Sequence, residues 1–166
     1  MSNSRRVLAY VGLGSNLESP LSQVTRALDE LASLPDSKLV ARSSLYCTRP
    51  VGPADQPDYI NAVAALVSGL SAEGLLDALQ ALENQHGRIR TGERWGARTL
   101  DLDLLLYGDA VISSPRLQVP HPQMARRAFV LYPLAEIAPE EMQIPGYGGL
   151  RELLARVSEA DIERLE

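Results

Sequence analysis

Two patterns of apolar residues alternate along the chain, and their order restricts the possible folds more than any other sequence feature. Short stretches rich in Val, Ile, Leu and Ala are typical of buried strands, whereas apolar residues three or four positions apart indicate helices. The strands predicted in this way cover residues 5–13, 38–48, 59–68 and 99–107. One helix is predicted between the first two strands and another between the last two. This order favours an α+β, ferredoxin-like antiparallel sheet (a βαββαβ core) with both helices on one face.

Capping residues mark where the two helices begin. Ser19 followed by Pro20 is typical of a helix start, and Ser71 predicts a second one that ends at Gly87. The first helix is expected to bury one stripe and to stop before Pro35. That stripe comprises Leu21, Val24, Leu28 and Leu31. After the last strand, only short strands, turns and a weak helix near 150–157 are expected, as a short C-terminal extension.

Length and composition exclude several classes of protein. The 166 residues suit a single domain, 1–166, and the net charge of −5 argues against a broad nucleic-acid surface or an anionic-membrane binder. No stretch approaches the ~20 apolar residues of a membrane span. Cys47 is the only cysteine, so neither an intrachain disulfide nor a multi-cysteine zinc site can form. We therefore expect a cytoplasmic protein.

The most informative segment is an apolar strand that carries two aspartates. Side chains two apart on a strand share a face, so Leu100, Leu102 and Leu104 should face the core while Asp101 and Asp103 share the other face. Two neighbouring carboxylates repel one another unless a cation joins them. Mg²⁺ is commonly held by one or two carboxylates together with substrate phosphates. The pair therefore predicts a metal–nucleotide site, although a solvated sheet face would show the same alternation.

A basic loop leads directly into this aspartate pair. Residues 86–99 contain four arginines and Glu93, a net charge of +3, so the rest of the chain carries −8. Arginines can neutralise phosphate oxygens and charge that develops in a transition state. Gly87, Gly92 and Gly96 suit a lid that closes over substrate. Trp95 either stacks on a base or anchors the loop.

The segment Gly12-Leu13-Gly14 resembles the start of a dinucleotide fingerprint, but Leu17 occupies the position of the third glycine. We interpret it as a tight turn between strand and helix. These observations alone indicate a magnesium–nucleotide enzyme. A glycosyltransferase with an Asp-x-Asp motif is one alternative, and a non-enzymatic RNA-binding module is another, since ferredoxin-like sheets also bind RNA.

Several motifs, in order, resemble those of the 6-hydroxymethyl-7,8-dihydropterin pyrophosphokinase family. They extend from about Ala9 to Ala138, and the run around the aspartates is the most specific. The motifs are Gly14-Ser15-Asn16-Leu17, Gln56-Pro57-Asp58-Tyr59-Ile60-Asn61-Ala62, Gly87-Arg88-Ile89-Arg90, Glu93-Arg94-Trp95-Gly96-Ala97-Arg98-Thr99-Leu100-Asp101-Leu102-Asp103, Val119-Pro120-His121-Pro122 and Arg127-Ala128-Phe129-Val130-Leu131. Pro122, Thr91 and Arg49 depart from residues often found in the family.

The resemblance implies transfer of pyrophosphate from MgATP to the hydroxymethyl group of the pterin, releasing AMP, in folate biosynthesis. It further implies two Mg²⁺ ions bound by Asp101 and Asp103, with Arg88 and Arg98 as catalytic lid arginines. The expected partners are the two small-molecule substrates, with no nucleic acid and no membrane, and the chain is expected to be a monomer.

The resemblance also assigns the two binding sites. The pterin-binding residues it implies are Thr48, Arg49, Val51, Tyr59, Asn61, Trp95 and Phe129. Tyr59 and Phe129 would stack on the flat ring, which is a physically reasonable arrangement, and Asn61 would hydrogen-bond its edge. The implied ATP-binding residues are Gln80, Glu83, Arg90, Trp95, Arg98, Leu104, Arg116, His121 and Arg127. Because Gln80 and Glu83 are three apart, we expect them to share one face of the second helix.

Overall fold

A mixed sheet-and-helix architecture is present in the computed structural model, which describes residues 6–15, 20–48, 59–86, 100–157 and 162–165. The strands are β1 (Val7–Ser15), β2 (Ser37–Arg42), β3 (Tyr46–Thr48), β4 (Tyr59–Ser68), β5 (Asp101–Tyr107), β6 (Ile112–Ser113), β7 (Gln118–Val119), β8 (Gln143–Ile144), β9 (Gly148–Gly149) and β10 (Ile162–Arg164). The helices are α1 (Pro20–Leu31), α2 (Ala72–Gln85), α3 (Ala128–Ile137) and α4 (Leu150–Arg156), with a short 3₁₀ turn at Met124–Arg126.

The main sheet has the strand order β10-β3-β4-β1-β5, and β2 also pairs with β4, beyond β3 along that strand. Each of these pairs is antiparallel. When β2 and β3 are counted as one interrupted strand, the order is that of a ferredoxin-like βαββαβ sheet. The fold class predicted from the sequence is therefore confirmed.

Helices α1 and α2 pack against one face of this sheet and enclose the first hydrophobic core. Helix α1 begins at Pro20 and α2 is capped by Ser71, whose Oγ accepts a hydrogen bond from Gly74 N–H at 3.0 Å. The prediction that Leu21 belongs to the buried stripe is wrong, because Leu21 is 50% exposed and Ala27 is buried instead. Positions 24, 27, 28 and 31 therefore form the packing face, which excludes the first turn.

The single strand predicted over 38–48 is interrupted. Arg42 pairs with Ala64 and Tyr46 with Asn61, so three residues of one strand oppose two of β4. Ser43 fills the break: its N–H donates to Val63 O at 2.8 Å, and its Oγ accepts from Val63 N–H at 2.9 Å. A serine hydroxyl can replace a backbone acceptor in this way, and hydropathy alternation does not detect it.

Glu136 of α3 also binds residues at the interruption between β2 and β3. Its carboxylate accepts hydrogen bonds from Ser44 N–H at 2.9 Å, from Ser44 Oγ at 2.7 Å and from Tyr46 Oη at 2.9 Å. Partial burial opposes ionisation, but these hydrogen bonds outweigh it and lower the pKa of Glu136. Burial and the bond to Glu136 raise the pKa of Tyr46 to about 12.

Helices α3 and α4 cover part of the opposite face of the sheet and form a second core with Tyr10, Val63 and Leu106. The sequence did not predict α3, because its apolar residues are not confined to one side of the helix and because Pro133 lies inside it. The weak helix expected near 150–157 is present as α4. Among the helices of the described ranges, none is long and apolar enough to cross a membrane.

Candidate active site

A cavity of about 610 Å³ opens on the α3 side of the sheet, at the end where β1, β4 and β5 lie side by side. It is lined by Gly12, Leu13, Gly14, Thr48, Tyr59, Asn61, Ala62, Asp101, Asp103, Leu105, Arg126, Arg127, Ala128, Phe129, Val130 and Ile162. Strand β4, strand β5 and the start of α3 thus bring together groups that are far apart in the sequence.

Glycines of the central strand form the floor of this cavity. Gly14 pairs with Asn61 on one side and with Asp101 on the other, and Gly12 pairs with Asp103. The interpretation of this segment as a tight turn is wrong, since both glycines lie inside β1. A Cβ on Gly14 would lie 2.9 Å from Asn61 Nδ2. The absence of a Cβ at Gly14 therefore leaves room for the Asn61 amide to lie over the strand.

Asp101 and Asp103 line the cavity together, whereas Leu100, Leu102 and Leu104 are buried in the first core. The alternation predicted for this strand is therefore confirmed. Hard oxygen donors on one face of a strand suit a hard divalent cation. Within the described residues, no cluster of three or more His, Cys, Asp or Glu side chains surrounds a possible metal position. A metal held by this pair would need further ligands from substrate or water, which fits Mg²⁺ bound to a nucleotide.

Asn61 is held in one orientation beside the aspartates. It is 7% exposed, and its Oδ1 accepts a hydrogen bond from Thr48 Oγ1 at 3.0 Å. The amide Nδ2 lies over Gly14, 2.9 Å from where a Cβ on that residue would be. An oriented, buried amide can discriminate a ring edge by its donors and acceptors.

Aromatic and cationic groups from α3 and the segment before it complete the walls. Phe129 and Tyr59 both line the cavity. The Arg127 guanidinium lies 5.4 Å from the centre of the Phe129 ring, within cation–π range. Arg127 thereby supports the ring on which a flat ligand would stack.

His121 lies close enough to Asp103 and Arg127 to interact with both charges. Burial of the ring lowers the pKa of His121, and the Arg127 cation adds to this effect, while Asp103 opposes it. Nδ1 accepts a hydrogen bond from Gln123 N–H at 3.1 Å. The neutral imidazole therefore carries its proton on Nε2, as a hydrogen-bond donor.

Comparison with known proteins decides the family. The sequence profile of 7,8-dihydro-6-hydroxymethylpterin-pyrophosphokinase (HPPK) matches residues 10–139. The chain belongs to this family. It is 54% identical over 156 residues to the 2-amino-4-hydroxy-6-hydroxymethyldihydropteridine pyrophosphokinase of Pseudomonas aeruginosa, covering 94% of this chain and 95% of the relative. The Haemophilus influenzae protein of the same name is 45% identical over 159 residues, covering 96% and 98%.

A solved structure supports the same fold. An HPPK-DHPS protein of Plasmodium falciparum, solved with pteroate, superposes with a TM-score of 0.73 at 12% identity. The match covers 99% of this chain but only 47% of that protein. At this identity the similarity concerns the fold alone, and it agrees with the ferredoxin-like sheet.

The structure brings seven residues implied by the HPPK resemblance to one cavity. They are Thr48, Tyr59, Asn61, Asp101, Asp103, Arg127 and Phe129. Residues 49, 51, 88, 90, 95 and 98, which carry the expectations for Arg49, Val51, Arg88, Arg90, Trp95 and Arg98, lie outside the described residues.

Other residues expected at the ATP site do not line this cavity. Gln80 is exposed on α2, and its Oε1 accepts a hydrogen bond from Arg116 at 3.5 Å. Arg116 also pairs with Asp77 of the same helix. The side chain of Leu104 is buried in the first core.

Glu83 differs from the expectation in its orientation. We predicted that it shares a face with Gln80, but Glu83 is only 5% exposed while Gln80 is exposed. The Glu83 carboxylate turns inward and accepts a hydrogen bond from Leu102 N–H at 2.7 Å. Spacing of three places two residues near one another on a helix, but it does not fix how deeply each is buried.

Nine lining residues were not assigned to the site from the sequence, among them Gly12, Gly14, Arg126 and Ile162. The two glycines could have been found from their spacing of two on a predicted strand, which places both on one face. Arg126 is the last residue of the 3₁₀ turn and directly precedes Arg127. Ile162 had no detectable signal, because it comes from a short strand near the end of the chain.

Proposed function

We propose that this cavity is where the chain performs the reaction of its family. The protein is an ATP-dependent pyrophosphokinase of folate biosynthesis: it transfers pyrophosphate from ATP to the hydroxymethyl group of 6-hydroxymethyl-7,8-dihydropterin. The observation that carries the assignment to this cavity is the juxtaposition of an oriented amide and two aromatic rings with a carboxylate pair. The half of the cavity with the amide and the aromatic rings suits a flat heteroaromatic ring, and the half with the carboxylates suits a magnesium polyphosphate.

The pterin half is formed by Tyr59, Asn61, Thr48 and Phe129. The ring stacks between Tyr59 and Phe129, and Asn61 hydrogen-bonds its edge. Arg49, Val51 and Trp95 complete this half in the proposal. Holding the ring in one orientation directs its hydroxymethyl oxygen towards the phosphates, and this positioning removes much of the entropic part of the barrier.

The phosphate half is formed by Asp101, Asp103, Arg126 and Arg127. The two carboxylates hold Mg²⁺, for which we propose two ions, and the metal supplies charge neutralisation to the phosphates when bound. Arg88 and Arg98 stabilise charge in the transition state, and the Nε2–H of His121 donates to a phosphate or ribose oxygen. Gln80, Arg90, Leu104 and Arg116 are proposed to lie along the nucleotide.

The bond changes in the reaction are simple. The hydroxymethyl oxygen bonds to the β-phosphorus, the bond between that phosphorus and the oxygen bridging to the α-phosphate breaks, and AMP leaves. The hydroxyl proton is released to solvent. We further propose that the enzyme acts as a cytoplasmic monomer.

The test is incubation with MgATP and 6-hydroxymethyl-7,8-dihydropterin, with separation of the nucleotides. AMP should form in step with the pterin diphosphate. Formation of ADP instead would show transfer of a single phosphoryl group and would contradict the proposal.

Substitution of the carboxylates tests their assignment. Asp101→Asn and Asp103→Asn should each lower kcat about 10²-fold or more, because each removes a charge that holds the metal, while the melting temperature changes little. Asp109→Asn, in the exposed turn after β5, is the matched control and should retain full activity. Normal turnover in both cavity variants would reject the metal assignment.

A further inference from the structure

Glu83 is a buried carboxylate with a defined backbone partner. Its side chain leaves α2, is 5% exposed, and accepts a hydrogen bond from Leu102 N–H at 2.7 Å. Burial of a charged group is costly unless hydrogen bonds compensate it. The hydrogen bond from Leu102 N–H is one contact that offsets this desolvation cost.

The amide that Glu83 binds lies at the outer side of the sheet. Among the described strands, β5 pairs only with β1 and so forms an edge. The Leu102 N–H points away from β1, towards α2, where it meets the carboxylate. Without that acceptor, the amide of an edge strand would be unpaired at a position where the Leu102 side chain is buried.

Leu102 separates the two carboxylates of the cavity. The peptide held by Glu83 is the one that joins Asp101 to Leu102, and Asp103 follows directly. Glu83 itself approaches from the core side and belongs to no described cluster of metal-binding groups. Through Leu102 N–H, Glu83 contacts the β5 backbone between the two aspartates.

We propose that Glu83 is a positioning residue that fixes β5 between Asp101 and Asp103 and thereby sets the relative placement of their carboxylates. The proposal rests on the assignment of the two aspartates as Mg²⁺ ligands. It gives Glu83 a different role from the direct nucleotide contact that the sequence resemblance implies. A charged acceptor suits this role because its hydrogen bonds are roughly twice as strong as those between neutral groups.

The experiment compares Glu83→Leu, which removes the acceptor at similar volume, with Glu83→Gln, which keeps an oxygen acceptor. Gln85→Leu, exposed on the same helix, is the control. Exchange of the Leu102 amide with solvent deuterium is followed by NMR in the metal-free protein. The Mg²⁺ concentration that gives half-maximal AMP formation is measured in parallel.

We expect Glu83→Leu to speed exchange of the Leu102 amide at least about tenfold and to raise the half-saturating Mg²⁺ concentration about 10–100-fold, as is typical when a partner behind a metal ligand is lost. Glu83→Gln should remain within about threefold of wild type in both measurements, because its oxygen still accepts the bond. Gln85→Leu should change neither quantity.

Two results would overturn the proposal. One is unchanged Leu102 exchange in a folded Glu83→Leu variant. The other is a raised KM for ATP with an unchanged Mg²⁺ requirement, which would indicate a direct nucleotide contact. If Glu83→Leu does not fold, Glu83→Gln decides: a half-saturating Mg²⁺ concentration raised at least about tenfold while the Leu102 amide stays protected would show that the charge acts directly, and would overturn the proposal.

The two proposals can fail separately. If wild-type protein forms no AMP, the proposed function fails, whereas the exchange measurement still tests the contact between Glu83 and Leu102.

Discussion

The two adjacent arginines of the cavity have different surroundings. Arg127 lies against the Phe129 ring and interacts with His121. Among the described residues, the Arg126 side chain makes neither a hydrogen bond nor an ion pair, and it is exposed at the cavity. Of the two described cavity arginines, Arg126 is therefore the one that can bind a phosphate group without first breaking another contact, which lowers the cost of binding.

This difference gives a prediction for ATP binding. Arg126→Ala should raise the KM for ATP about tenfold, the lower end for loss of a hydrogen bond to a charged group, since the position is exposed. The KM for the pterin should change less than twofold. Steady-state kinetics with each substrate varied in turn measures both values.

Arg151→Ala, on the exposed side of α4, serves as the control and should match wild type. Equal effects of Arg126→Ala and Arg151→Ala on the KM for ATP would show that only the overall charge matters.

At this scale, the sequence predicts residue pairs on strands better than residues on helices. Asp101 and Asp103 share a face because a strand alternates strictly, and Tyr59 and Asn61 reach one cavity for the same reason. Glu83 was placed on the wrong side because a helix distributes side chains over a continuous range of angles. Small differences in helix rotation then decide between solvent and core.

Among the elements, β1 contributes to the cavity mainly through two glycines that have no side chain. Gly12 and Gly14 lie on the same face of the strand, but a methyl group added at each position would meet different neighbours. At Gly14 it would lie 2.9 Å from Asn61 Nδ2, whereas at Gly12 its nearest neighbour is Leu105 Cδ2 at 3.4 Å.

A pair of matched substitutions follows from this contrast. Gly14→Ala should weaken pterin binding at least about tenfold, because Asn61 must leave the position in which it can pair with the ring edge. Gly12→Ala should change pterin affinity less than threefold. Fluorescence titration with the pterin measures both, and equal affinity losses in the two variants would refute the role given to Asn61.

Helix α3 is linked to the interruption between β2 and β3 through a group that titrates in acid. Because hydrogen bonds from Ser44 and Tyr46 lower the pKa of Glu136, its contribution to stability is complete above the ordinary carboxyl pKa of 4.5. The contribution is lost as the pH falls below 4.5 and through the lowered value, since the folded state must then bind a proton that the unfolded state already carries.

We therefore expect wild type to exceed Glu136→Gln in unfolding free energy by about 1 kcal/mol at pH 7, a small value because the carboxylate is largely exposed. The difference should shrink as the pH is lowered from 5 to 3. Urea unfolding across this range measures it. Glu140→Gln, exposed beyond the end of α3, is the control, and a difference that does not depend on pH would contradict the assignment.

The elements that escaped prediction share a cause. Helix α3 carries apolar residues on most of its circumference, because it contacts the sheet, α4 and the cavity, so no amphipathic period marks it. The break at residues 43–45 depends on Ser43 and Glu136, which are 93 positions apart in the chain. By contrast, α1, α2, β4 and β5 have one buried face each, or both faces buried, and their patterns are visible locally.

For the whole molecule, the two faces of the main sheet differ in what covers them. The face covered by α1 and α2 is a continuous apolar core, and the other is shared between a second core and the cavity. Strand β10 pairs with β3, with Ile162 opposite Thr48, and so brings a residue from near the end of the sequence to the cavity wall.

Removal of this strand should affect the two substrates differently. A variant ending at Val157 should remain folded, because both cores are formed without β10, apart from contacts of Leu165. Its KM for the pterin should rise about fivefold through loss of apolar contact, while the KM for ATP should stay within twofold. Glu163→Gln controls for the charge of the strand, and equal changes in both KM values would contradict a pterin-side position for Ile162.

The contact between Glu83 and Leu102 has a consequence for association between molecules. An edge strand normally offers its free amides to the strand of a neighbouring molecule, which is a common start of aggregation. Here the Leu102 amide of β5 is already taken by a buried carboxylate. An incoming strand would have to displace that charged group, so this side of the sheet resists extension by a second chain.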